Sequence, residues 1–237
     1  MNNKTFLRQI KNQEKHWWFQ ARKKIIQQII SNIRFKNKKK ILDFGAGSGV
    51  HLDMLAKYGL VHIHEQNKYA REVIKKKKKI KKLYSNLKIK KNFYDLILVA
   101  DVIEHIKQPV KLLKELKKFL KKDGRILITV PAYQFLFSKK DEALGHYRRY
   151  NKKLLINELT EFKIEKISYF NTLLCTPIII MTLLNKFLNR DYIKQVETTP
   201  NFILNKMCYF IFSIEKYFLK YFNLPFGISI YVLVKND

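Results

Sequence analysis

Apolar and polar positions along this chain change period several times, and each change marks an element. From Lys40, the run Ile41-Leu42-Asp43-Phe44 reads as a short strand that turns at Gly45, Gly47 and Gly49 into a helix near residues 49–58. Leu60-Val61-His62-Ile63-His64 gives a second strand, closed by Glu65. A lysine-rich helix is expected from about Tyr69 to Lys82, then a weak strand near Leu87–Ile89. Tyr94-Asp95-Leu96-Ile97-Leu98-Val99-Ala100 is a short, mostly apolar run suited to a buried central strand. Pro109 opens a helix whose Val110, Leu112, Leu113, Leu116, Phe119 and Leu120 recur at helical spacing until Asp123-Gly124 stops it. Arg125–Val130 is the next strand, ended by Pro131. Strands alternating with helices imply a parallel sheet covered on both faces, an α/β doubly wound fold.

The two ends depart from this alternation. Residues 4–32 read as one or two helices bearing His16-Trp17-Trp18-Phe19 and Arg22, suited either to folding over the glycine loop or to core packing. Near the other end, Phe162–Phe170 and Gly227–Val234 alternate like strands. Between them lies a helical insert, residues 172–226, with the apolar run Leu173–Leu184 broken by Pro177 and too short to span a bilayer. Phe202, Ile203, Met207, Phe210, Ile211, Ile214, Phe218 and Phe222 follow at helical spacing, with Lys206, Lys216 and Lys220 between them. Such an insert either packs on its own sheet, rests on a membrane or shelters a lipid tail. The expected organisation is an N-terminal helical segment (1–35), a nucleotide-fold domain (36–171 and 227–237) and this insert.

Charge adds one constraint. The formal net charge is +29, from 48 Lys and Arg against 19 Asp and Glu, which draws anionic partners. Lysine supplies nearly all of the excess, whereas arginine is the residue that forks onto phosphates and stacks on bases. Specific nucleic-acid binding is therefore disfavoured, and an anionic membrane surface is the better partner. The block Lys75–Lys79 with Lys81 and Lys82 falls on an expected surface helix and reads as a solvated face. Cys175 and Cys208 form no C-x-x-C pair, so no disulfide framework or zinc knuckle is indicated. With a polar Met1–Lys15 that lacks a signal-peptide core, the expected location is the cytoplasm, with peripheral attachment to the inner membrane face.

The glycine spacing narrows the chemistry. A dinucleotide fingerprint needs G-x-G-x-x-G, but here the pattern is G-x-G-x-G with Val50 in the sixth position, and no P-loop lysine follows. Glu65, about 20 residues beyond the loop, stands where an acidic side chain meets a ribose in βαβ units. The run D-x-G-x-G-x-G after a strand resembles motif I of the class I S-adenosylmethionine-dependent methyltransferases. The resemblance implies a Rossmann-like, mostly parallel seven-stranded sheet with an antiparallel last strand and S-adenosyl-L-methionine as cofactor. It also implies that Asp43, Gly45, Ala46, Gly47 and Gly49 form the cofactor loop, that Glu65 with Gln66 takes the ribose, and that Asp101 borders the cofactor. That family often places an acidic residue after strand 3 for the adenine; none lies between Leu83 and Lys91, and Asn86 is the substitute acceptor.

Asp101-Val102-Ile103-Glu104-His105 follows the fourth strand and resembles the D-V-L-E-H segment of many class I methyltransferases. Glu104 and His105 are candidate catalytic residues, His105 as base or orienting donor. A related E-x-x-E-H run holds a metal in some members, but the first acidic residue here is Asp and no further His stands nearby in sequence, so no metal is expected. Asp141-Glu142-Ala143-Leu144-Gly145-His146-Tyr147-Arg148-Arg149-Tyr150, expected in a loop, resembles the D-E-A-L-G-H-x-R-R-Y signature of a bacterial type 11/12-like methyltransferase subfamily. That subfamily also carries the H-W-W-F-x-x-R start and the long helical insert. His146 and Arg149 are its candidate catalytic groups, and Trp17 and Arg22 would help cover the cofactor.

Two absences bear on the acceptor. Neither an (Asp/Asn)-Pro-Pro-(Tyr/Phe) run nor a Pro-Cys nucleophile is present, which disfavours methylation of base amino groups and of cytosine C5. The expectation is methyl transfer to a small-molecule or lipid-linked acceptor, at oxygen. The alternatives are an RNA methyltransferase using the basic surface and a non-catalytic peripheral membrane protein with a relict fold.

Overall fold

The computed structural model describes residues 13, 15–33, 39–188 and 199–236. The first part of the expected N-terminal helices and a stretch of the expected insert lie outside the described residues. In chain order the elements are α1 (Trp17–Ser31), β1 (Lys39–Phe44), α2 (Leu52–Leu55), β2 (Gly59–His64), α3 (Lys68–Lys75), β3 (Lys82–Tyr84), β4 (Tyr94–Ala100), a 3-10 turn (Ile103–His105), α4 (Pro109–Phe119) and β5 (Leu120–Pro131). A second 3-10 turn (Gln134–Leu136), α5 (Lys139–Leu144), α6 (Lys152–Glu158), β6 (Lys163–Phe170), α7 (Cys175–Phe187), α8 (Phe202–Tyr221) and β7 (Ser229–Lys235) complete it.

The seven strands form one sheet in the order β3-β2-β1-β4-β5-β7-β6, mostly parallel with β7 antiparallel. This is the expected Rossmann-like architecture. At its centre β1 pairs in parallel with both β2 (Ile41 opposite Val61) and β4 (Ile41 opposite Leu96). Leu96, Ile97, Leu98 and Val99 are wholly buried, because crossover helices cover both faces of a central parallel strand. Each such aliphatic side chain contributes about 1.5–3 kcal/mol of burial free energy. Leu113, Leu116 and Phe119 give α4 its buried stripe, and Ala70 and Ile74 do the same for α3.

By contact density the chain separates into two compact units. Among the described residues, a sheet unit comprises 33, 39–130, 152–167 and 231–236, and a helical unit comprises 13, 15–32, 131–151, 168–188 and 199–230.

Several local expectations are corrected. The third strand is Lys82–Tyr84 rather than Leu87–Ile89, because pairing of His62 with Lys82 and His64 with Tyr84 selects the earlier segment. The lysine-rich helix accordingly ends at Lys75, leaving room for the chain to re-enter the sheet. The helix expected at 49–58 contracts to Leu52–Leu55, since Gly59 must already lie opposite Lys39 at the start of β2. β5 begins at Leu120 with a register shift between Tyr94 and Leu96 on its partner, ahead of the Arg125 start expected.

In the helical unit α1 packs along α8. Asn205 of α8 ties down the start of α1: its Oδ1 accepts Trp17 N–H at 2.9 Å and its Nδ2 donates to the Lys15 carbonyl at 3.0 Å. His16 caps the same helix by accepting Trp18 N–H on Nδ1. Lower on α8, the Glu215 carboxylate accepts the backbone N–H groups of Asn171 (2.6 Å) and Leu173 (2.8 Å). It thereby holds the turn that leaves β6, where Asn171 adopts φ +58°.

Candidate functional site

Parallel pairing brings three segments to one edge of the sheet unit. Phe44 lies opposite His64 and Val99, and Ala100 opposite Thr129. The glycine loop, the Glu65 turn and the Asp101–His105 segment therefore leave the carboxyl ends of adjacent strands, where open α/β sheets bind ligands.

All three loop glycines have left-handed backbones: Gly45 φ +70°, Gly47 φ +57° and Gly49 φ +71°. A Cβ at Gly45 would sit 2.6 Å from Val102 Cγ2, so glycine there lets the loop pack on the segment after β4. A Cβ at Gly47 would meet nothing within 4 Å; its backbone borders open space that a ligand can approach closely. Glu65, almost fully buried, accepts the Gly47 N–H at 2.7 Å on Oε2 and the Asn67 N–H at 2.7 Å on Oε1. Burial pushes its carboxyl up, partly offset by these backbone bonds. Arg71 braces the turn by donating to the Glu65 carbonyl at 3.1 Å.

Asp43, at the end of β1, is 1 % exposed and its Oδ2 has no hydrogen-bond partner. Burial, and then the nearby Glu65 carboxylate, raise its pKa to about 7. A buried acceptor without a donor beside a glycine turn that faces open space fits a ligand bringing donors or positive charge. S-adenosylmethionine, with two ribose hydroxyls, an ammonium group and a sulfonium, matches that donor set. Asp101 has φ +54°, and its Oδ1 accepts the Thr129 hydroxyl at 3.1 Å. Glu104 is fully buried and His105 half-buried in the 3-10 turn after β4. Ala46 is buried within the loop, whereas Gln66 and Asn86 are exposed. Asn86 Oδ1 caps its own turn by accepting Lys88 N–H at 3.0 Å.

The remaining candidates belong to the helical unit. Trp17 packs edge-on against Phe212 with ring centroids 5.9 Å apart. Arg22 is buried with its guanidinium 4.9 Å from the Trp18 ring centroid. The expected loop at 141–150 begins as a helix: α5 starts from a capping box of Ser138 and Asp141 and ends at left-handed Gly145. Asp141, 1 % exposed, is the anchor point of the segment from Gly145 to Tyr150. Arg149 grips it with two bonds, Nε to Oδ1 at 2.9 Å and Nη2 to Oδ2 at 3.0 Å, while His146 Nδ1 lies 2.8 Å from Oδ1. Burial opposes its ionisation, but the bonds from His146 and Arg149 outweigh that and hold the carboxyl well below the usual carboxylate range. Arg149 also donates its backbone N–H to Gln134 Oε1. Its guanidinium is a structural clamp in this arrangement. The Asp141 carboxylate also orients the His146 ring through Nδ1.

Comparison with known proteins bears on the fold and the family. An uncharacterized protein of Methanocaldococcus jannaschii is 28% identical over 148 residues, covering 61% of this chain and 63% of that relative, so the chain spans less than two thirds of its length. Among solved structures, a SAM-dependent methyltransferase from Archaeoglobus fulgidus superposes with a TM-score of 0.55 at 15% identity, covering 90% of this chain and 94% of that one. The Haemonchus contortus phosphoethanolamine N-methyltransferase 2, solved with phosphomonomethylethanolamine and S-adenosylhomocysteine, does so at 0.54 and 17% identity, covering 90% of this chain and 52% of that one. At these identities the superpositions speak for the fold. A family model described as a methyltransferase domain matches residues 16–172, more than half of the sequence. With the glycine loop, its acidic partner and the seven-stranded sheet in place, the chain belongs to the methyltransferase-domain family.

Proposed function

We propose that the protein transfers a methyl group from S-adenosylmethionine to the oxygen of a small-molecule or lipid-linked acceptor. The cofactor, when bound, supplies an electrophilic methyl carbon on a sulfonium. The observation that supports its seat is the closure of Glu65 on Gly47 at 2.7 Å, beside the unpartnered Oδ2 of Asp43. In this reading Glu65, Gly45, Gly47 and Asp43 hold the cofactor, Asp101 borders it, and Gln66 and Asn86 lie along the adenosine.

Oxygen as the acceptor is supported by the pairing of His146 with Asp141. Methyl transfer needs no acid for the leaving thioether, but a hydroxyl nucleophile must lose its proton. A histidine whose Nδ1 faces a buried carboxylate is suited to take it. His105 is the second candidate for that step, with Glu104 behind it.

Calorimetric titration with S-adenosylmethionine tests the cofactor. Micromolar binding that weakens in Glu65→Ala supports the reading, and absence of binding by the wild type removes it. Incubating cell metabolite and lipid extracts with protein and isotopically labelled cofactor identifies the acceptor. A labelled methyl ether or ester supports oxygen; label recovered only on nitrogen or carbon overturns that assignment.

A further inference from the structure

The inward side of α8 is accounted for by α1, which packs along it, and by Phe212, Glu215 and Leu219, which are buried. Its other side is apolar as well. Ile203, Met207, Phe210, Ile214, Tyr217 and Tyr221 recur at alternating spacings of four and three, which places them in a single row along the helix. Five of the six are exposed, from 52 % at Met207 to 78 % at Ile203. A water-facing helix of a monomeric domain does not normally carry five turns of such a row.

The charges beside the row are of one sign. Lys206, Lys216 and Lys220 are the only basic residues of α8, and its single acidic residue, Glu215, is buried with its carboxylate on backbone N–H groups. Each lysine ammonium lies over an aromatic ring of the same helix: Lys206 at 5.8 Å from Phe202, Lys216 at 4.7 Å from Tyr217 and Lys220 at 5.0 Å from Tyr221. The heads are thus placed at the border of the apolar row, as snorkelling lysines are. α7 repeats the composition, with Ile180, Leu184 and Phe187 exposed, Lys186 its only charged residue and no acidic one. Among the described residues no helix is long and apolar enough to cross a membrane.

We propose that the outward face of α8 docks in the plane of an anionic membrane surface, with its apolar row in the headgroup region and its lysines on the lipid phosphates. A helix lying in this way sinks about 5–10 Å into the boundary. A second copy of the chain fits the face less well, because each copy carries a net charge of +29 and brings three lysines to the row. The docking does not depend on the catalytic reading and stands or falls separately from it.

Flotation of the full chain with vesicles tests the proposal, comparing phosphatidylcholine alone with phosphatidylcholine containing a third phosphatidylglycerol. Binding to the anionic vesicles that declines with salt is expected, with weaker binding to the neutral ones. Met207→Glu with Phe210→Glu should abolish it. Replacing Lys206, Lys216 and Lys220 by Gln should weaken it by about fivefold per lysine. Met207, Phe210, Lys206 and Lys220 are exposed and Lys216 is half-buried, and unaltered circular dichroism and thermal unfolding establish that both variants fold. Equal binding to the two vesicle types, or binding that survives both variants, overturns the proposal. So does a wild-type dimer in sedimentation that the Met207→Glu, Phe210→Glu variant dissolves, since a second copy would then occupy the face.

Discussion

Glu65 reaches across from the end of β2 to accept the backbone N–H of Gly47 at 2.7 Å, so one carboxylate fixes the second strand's turn and the glycine loop together. Its removal should weaken S-adenosylmethionine binding by about 1–3 kcal/mol, the range for lost bonds to a charged group. Glu65→Gln, which keeps an acceptor but loses the charge, should fall between Glu65→Ala and wild type. Titration calorimetry of the three proteins checks the order, and equal affinities would remove Glu65 from the cofactor site.

Gly45 and Gly47 should respond differently to the same added methyl group. Both have positive φ, so alanine at either position is strained by more than about 1 kcal/mol. Only at Gly45 does the new Cβ also meet Val102, at 2.6 Å. Gly45→Ala should therefore lower the unfolding midpoint more than Gly47→Ala. Gly47→Ala should show its larger effect in cofactor affinity, because its Cβ projects into space bordering the cradle. Thermal unfolding and calorimetry on both variants decide the matter; equal loss of stability with unchanged affinity would contradict it.

Residues differ in how plainly the sequence alone marks them. Leu96–Ala100 is legible because a strand buried on both faces needs an unbroken apolar run, and the glycine loop because positive φ favours glycine. β3 is not: Lys82-Leu83-Tyr84 continues a lysine run, and only its pairing with His62 to His64 makes it a strand. α5 carries a visible sign in Ser138 and Asp141, three residues apart as a capping box requires. Asp141's grip by Arg149, eight residues on, obeys no local period. Glu215 has no sequence signal at all, since its partners lie more than 40 positions earlier and its neighbours read as one apolar helix.

Asp43 gives the sheet unit a definite pH dependence. Its folded pKa of about 7 lies above the ordinary carboxylate value of 3.8, so the native state keeps a proton that the unfolded chain has released in between. Stability from this group is therefore fully present below the unfolded value and is lost as pH rises toward 7. Asp43→Asn, neutral at every pH, should match wild type near pH 4 and exceed it in unfolding midpoint above pH 7. Bound cofactor, bringing positive charge, should favour the ionised carboxylate, so wild-type affinity should rise across the same interval and that of Asp43→Asn should not. A midpoint difference independent of pH would show that Asp43 keeps an ordinary pKa.

Asp141 has the opposite sign. Its folded pKa is depressed, so the stability it contributes is present above the unfolded carboxylate value and disappears as pH falls below it. Asp141→Ala leaves the mostly buried Arg149 without its counter-charge and takes from His146 its Nδ1 partner, and breaking a buried pair in this way costs about 3–5 kcal/mol. His146→Ala removes one bond to Asp141 and leaves Arg149 bidentate, so its cost in denaturant unfolding near neutral pH should be much smaller. The two variants therefore separate scaffold from chemistry. If His146 takes the acceptor's proton, His146→Ala should bind S-adenosylmethionine as wild type does while its turnover on the acceptor falls by about 10²–10⁴-fold. Its residual rate should climb with pH as the acceptor ionises unaided. Full turnover in a folded His146→Ala protein would leave Asp141, Arg149 and His146 as an anchor for the chain between β5 and α6 and nothing more.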